Sequence, residues 1–160
     1  MNASAHGVWA EVKDLVEVGE SQDAYVFYGH ANDPAGFALP AMESSYLMTP
    51  DGQKITLNTN KVEGEWVPGY GWTGDFGVSP VVAYWPGNYV YVAPRAPSYS
   101  NKTLRLTYSA AEAVINAGND SSASFKSGLP MEISSQKPLY QIKNKENVTF
   151  TVKYLDQQVN

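Results

Sequence analysis

The chain has no cysteine. That absence excludes disulfides, thiolate metal sites, a thiol nucleophile and iron–sulfur clusters. Any bound metal must be held by nitrogen and oxygen, with methionine sulfur as a soft addition. Histidine is nearly as scarce, with two in 160 residues, His6 and His30. A hydrolytic triad or an imidazole metal site can draw only on these. Lysine and arginine total 11, scattered without a stripe, which argues against a nucleic-acid partner. No apolar run approaches the roughly 18 to 20 residues that a spanning helix needs. G-x-S-x-G, H-E-x-x-H and Walker patterns are all missing.

What is present describes a globular chain. Hydrophobic residues make up 43% and charged residues 17%. That balance is too apolar for disorder and too polar for a membrane bundle. A length of 160 residues suits one domain with a real core. The net charge of −5 suits cations better than anions.

The hydrophobic pattern reads as strands. "HGVWAEV" alternates, with Val8, Ala10 and Val12 on one side. "DAYVFYGH", "GNYVYVAP", "KTLRLTYS", "LPMEIS" and "NVTFTVKYL" carry the same signature. "YLMTPDGQKITL" reads as two short strands about a Pro50-Asp51-Gly52 turn. "SAAEAVINAGND" has helix-forming residues but also fits a strand with one exposed charge, and a strand over 109–118 is expected. From Pro68 to Gly87 the chain is dense in glycine and proline and holds Trp72 and Trp85. An ordered loop packed by aromatic rings is expected there. The fold class that follows is all-β, an immunoglobulin-like antiparallel β-sandwich with a long Gly/Pro/aromatic loop.

The N-terminus carries a processing signal. Ala3-Ser4-Ala5 supplies the small residues of an A-x-A cleavage site. Residues 1–5 are then a signal-peptide remnant or an expression leader, and a single domain spans 6–160. Cleavage would leave His6 first. A free α-amino group and the Nδ1 of the same residue close a six-membered chelate ring on one metal ion. At the other end, "VKYLDQQVN" breaks off at a turn, so a further C-terminal segment is expected.

His30 ends a strand in "FYGHANDPAG", where strand ends commonly display ligands. If its strand lies near that of His6, amine and two imidazoles give a T-shaped nitrogen set. Nickel(II) and copper(II) favour such tetragonal sites. A lone histidine bonded to its own loop is the plainer alternative for His30. Glu43 in "PAMESSY" could add an oxygen ligand, and Met42 a thioether. Asp33 and Asp75 read as solvated or turn-forming acids. Trp9 and Tyr28 could pack around the site, although strand aromatics usually serve the core.

Together these residues resemble a known family. The order is His6-x-x-Trp9, an alternating strand ending Gly29-His30, then "GLPMEI…KPLYQIKNKENVTFTVKYLDQQV". It is similar to exported proteins of unassigned function, often described as the additional periplasmic component of nickel/cobalt ECF-type transporters. Gly128, Leu129, Pro130, Glu132 and Ile133 match that family's Gly-Leu-Pro-x-Glu-Ile stretch. Pro138, Leu139 and Tyr140 match a Pro-Tyr-like step loosely. Residues 144–146 replace its Gly-Asp turn, and Asp156-Gln157-Gln158 stands where Gly-Lys-Pro is expected.

The resemblance implies a β-sandwich with an N-terminal histidine. It also implies capture of a nickel or cobalt ion at the periplasmic or extracellular face, for hand-over to membrane-embedded transporter components. That is binding and release, not turnover. Two other readings stay open. A copper oxidoreductase with a histidine brace also begins with a mature histidine on a sandwich. Eleven tyrosines and four tryptophans could instead serve a carbohydrate- or protein-binding module.

Overall fold

The computed structural model describes residues 6–30, 37–68, 71–118 and 125–159. Its regular structure is almost entirely strand. The first strands are β1 (Gly7–Glu11), β2 (Leu15–Val16), β3 (Ser21–Gly29), β4 (Tyr46–Met48) and β5 (Lys54–Thr56). Next come β6 (Asn60–Val62), β7 (Trp66–Val67), β8 (Gly71–Trp72) and β9 (Phe76–Val82). A long hairpin joins β10 (Gly87–Ser100) to β11 (Arg105–Ala117). β12 (Met131–Ser135), β13 (Phe150–Tyr154) and β14 (Gln157–Gln158) follow. Among the described residues the one helical element is a 3-10 turn, Leu139–Gln141.

Two sheets enclose the core. One is four-stranded in the order β1-β3-β9-β6; the other is five-stranded, β2-β11-β10-β4-β5. Val26 and Val81 from the first sheet meet Leu47, Tyr89, Tyr91 and Ile115 from the second. This is the all-β sandwich expected from the sequence. One pairing departs from the antiparallel rule: β2 runs parallel to β11. Val8, Ala10 and Val12 pack against the core, as their alternation requires.

The start of β10 is buried on both faces. Tyr89, Tyr91 and Ala93 point into the sandwich. Val90 and Val92 point out and are covered by Phe125 and Leu129. Double burial explains why "GNYVYVA" has no polar side. The buried tyrosine hydroxyls find partners. Tyr89 Oη donates to the Trp85 carbonyl at 3.1 Å, and Tyr91 Oη lies 3.4 Å from Ser79 Oγ.

Local signals set several connections. The Gly52 N–H donates to the Thr49 carbonyl at 2.9 Å, closing the turn between β4 and β5. Residues 109–117 are strand, not helix, because every position from Ser109 to Ala117 is paired with β10. The Gly/Pro-rich stretch differs from the loop expected over 68–87. Its residues 76–82 form β9, which links β3 to β6. Pro80 is tolerated because β6 pairs only with residues 76–78, so no neighbour needs its missing N–H on that side. Past β13, Leu155 and Asp156 take φ of 49° and 62° and return the chain as β14. Positive φ at both central residues is what a type I′ hairpin turn demands.

Candidate metal centre

β1 and β3 pair antiparallel with Gly7 opposite Gly29 and Ala10 opposite Val26. Extending that register by one position sets His6 opposite His30. Paired residues share a face. Val8, Ala10 and Val26 on that face pack in the core, so the histidines sit at its open end.

The two imidazoles are neighbours. Their ring centroids lie 4.7 Å apart, with planes inclined by 38°. His6 is exposed and His30 half-buried. Phe37 contacts both, at 4.3 Å from His6 and 5.8 Å from His30. Tyr28 meets His6 edge-on at 5.8 Å. The Arg95 guanidinium carbon stands 5.3 Å from the centre of the Tyr28 ring.

Gly29 makes this arrangement possible. Its φ is 131°, in a region that L side chains rarely adopt. A Cβ placed there would collide with Phe37 Cδ2. The bare backbone therefore lets the Phe37 ring lie against β3 beside both imidazoles.

Asp75 holds the Phe37 segment in turn. Its N–H donates to the Phe37 carbonyl at 3.1 Å. Its carboxylate accepts from the Lys61 ammonium at 2.9 Å and from the Gly64 N–H at 3.2 Å. The Lys61 hydrogen bond, with backbone donors at Gly64 and Leu39, keeps this carboxyl below the usual carboxylate range. Asp75 is buried, so it is a positioning group and not a solvated loop acid.

The other sequence candidates fall elsewhere. Glu43 is exposed, and its N–H donates to the Pro94 carbonyl at 2.9 Å. Among the described residues no group of three or more histidine, aspartate or glutamate side chains is arranged to hold a metal. Glu43 is thus not gathered with the two histidines. Met42 packs against the core. Trp9 stacks on Phe27 at 5.4 Å, on the outer face of β1 and β3. Tyr28 lies beside the site, and Trp9 does not. Asp33 and residues 3–5 lie outside the described residues. No sequence pattern marks Phe37, a single phenylalanine outside any alternating run.

Two imidazoles at this spacing can turn a nitrogen each toward one ion, since metal–nitrogen bonds are about 2.0–2.1 Å. A two-ligand site is open and needs further donors. A family model described as a domain of unknown function, DUF4198, matches residues 3–160. No curated protein and no solved structure matches the chain.

Proposed function

The chain belongs to the DUF4198 family, and from that premise we propose that it binds a divalent transition metal ion, nickel or cobalt, outside the cytoplasm. The ion is cargo for a membrane transporter, captured and released without turnover. The observation that carries this reading is the 4.7 Å approach of His6 and His30.

Each histidine supplies one imidazole. A chain beginning at His6 adds its α-amino nitrogen, and water completes the shell. Three nitrogens and open positions suit nickel(II) and copper(II). Phe37 screens one side of the pair, which limits solvent and fixes the rings. These nitrogens bind a metal only when deprotonated, so protons compete with the ion and affinity falls as the pH is lowered. An affinity that does not respond to acid contradicts a nitrogen site.

Tyr28, 5.8 Å from His6, supports a second reading. Copper held by the same nitrogens beside a tyrosine would form a histidine brace with oxidation chemistry. The order of metal affinities, and turnover with a reductant and oxygen, separate the two.

The test is a calorimetric titration of nickel(II), cobalt(II) and copper(II) into two chains. One starts at His6 and the other keeps residues 1–5. Tight 1:1 binding by the first alone, lost in His30→Ala, supports the chelate. Equal and feeble binding by both sinks the metal reading. What then remains is an aromatic-rich binding module, with Trp9, Phe27 and Phe76 in contact across the outer sheet face.

A further inference from the structure

The β10–β11 hairpin ends in an arm. Residues 97–108 are exposed or half-exposed throughout. Two strands joined by a turn gain little stability alone in water. This pair nonetheless carries an apolar face. Tyr99 lies opposite Leu106, and Tyr108 follows two residues along on the same side. Leu104 stands in the turn at the tip. Tyr99, Leu104, Leu106 and Tyr108 are 58%, 75%, 52% and 72% exposed.

Leu104 is anomalous twice. Among the described residues it is the most exposed large apolar side chain at 75%, and its φ is 51°. Glycine or asparagine adopts that left-handed conformation at lower cost. A leucine kept there opposes both turn chemistry and solvation. Leu155 shares both features at the β13–β14 turn, and what sets Leu104 apart is the company of exposed apolar and cationic side chains around it.

The charge of the arm also departs from that of the chain. The whole protein carries −5. No aspartate or glutamate occurs between Asp75 and Glu112. At the tip stand Lys102 and Arg105, the latter opposite Ser100 on the polar face. The arm is thus an apolar and cationic element on an acidic protein.

We propose that this arm docks the protein on an anionic lipid surface. Leu104 and Leu106 enter the boundary between headgroups and acyl chains. Tyr99, level with Leu106, and Tyr108, further from the tip, take the interfacial level that tyrosine favours. Lys102 and Arg105 reach lipid phosphates while their stems stay in apolar contact. Exposed apolar and cationic side chains gathered at one tip of an acidic protein complement a surface that is anionic outside and apolar beneath. The proposal stands whether or not the histidines bind metal.

The test is co-sedimentation of the full chain with phosphatidylcholine vesicles, with and without phosphatidylglycerol. Binding to the anionic vesicles is expected to be about tenfold stronger and to weaken with salt. The acidic body is repelled by such vesicles, so attraction localises to the arm. Leu104→Asn suits the turn conformation and keeps the fold, as circular dichroism and the thermal midpoint will verify. It abolishes binding, and so does Lys102→Glu with Arg105→Glu. Absent binding, equal binding to both vesicle types, or wild-type binding by Leu104→Asn overturns the proposal. So does vesicle-free self-association that Leu104→Asn removes, which would assign the arm to a second copy of the chain.

Discussion

His6 and His30 face each other across an antiparallel strand pair, one position beyond Gly7 and Gly29, with ring centroids 4.7 Å apart. Their closeness is a property of strand register, since a slip of one residue sends every side chain to the other face. Nickel(II) should therefore raise the thermal midpoint of the chain that begins at His6. At a concentration about a hundred times Kd the gain is about 2.7 kcal/mol. His6→Ala and His30→Ala should each weaken affinity by more than about tenfold and remove the shift. Scanning calorimetry with and without metal reads both effects. A shift that survives in His30→Ala would place the metal elsewhere.

Gly29→Ala should be destabilising by roughly 2 kcal/mol or more, because it adds positive-φ strain to overpacking. The new methyl would collide with Phe37 and push it from the imidazoles. Urea unfolding gives the stability. A substitution that leaves the midpoint untouched would contradict the close approach of Phe37.

Asp75→Asn should cost about 2 kcal/mol near neutral pH, since it removes charged hydrogen bonds from a buried carboxylate. Lys61 is half-exposed, so its ion pair adds little beyond this. The folded carboxyl is held below its ordinary value, first by Lys61. Its contribution is present above the unfolded value, about 3.9. It is lost as pH falls through the lowered folded value. The deficit of Asp75→Asn should thus shrink toward strongly acid pH. A gap between wild type and variant that stays constant down to pH about 2 would remove the ionic explanation.

Glu112 has the opposite sign. Burial raises its carboxyl above the usual range, the Ser127 hydrogen bond opposes this, and the charge of Glu132 adds to it. Glu132 is engaged nearby, accepting from the Ser127 N–H at 3.0 Å and the Gly128 N–H at 3.1 Å. A raised folded value means the native state holds its proton longer than the unfolded chain. Stability then falls as pH rises from the unfolded value to the folded one, and the penalty persists above it. Glu112→Gln should raise the thermal midpoint at pH about 8 by a few degrees, and by nothing below pH about 4. Equal midpoints at the higher pH would show that the carboxylate is better solvated than its packing implies.

Much of the fold was legible in local sequence. Alternation in "HGVWAEV" set the inward residues of β1, and Pro50-Asp51-Gly52 marked the β4–β5 turn. These are short-range effects of side-chain direction and backbone freedom. The stretch 68–87 misled because glycine and proline suggest loops. Pairing with β3 and β6 outweighed that composition and made β9. The stretch 109–117 was ambiguous because its residues also favour helix, and pairing with β10 decided for strand.

The sequence by itself determined the chemistry available: two imidazoles, no thiol, an acidic chain and strand-forming alternation. These are properties of composition and of neighbours along the chain. Only the tertiary structure decided that His6 lies against His30, that Phe37 covers Gly29, and that Asp75 anchors the Phe37 segment. Each joins residues separated by at least eight positions, and the outcome depends on strand register and the closing of loops. Those are cooperative results of burying one face of every strand at once, which no short stretch of sequence encodes.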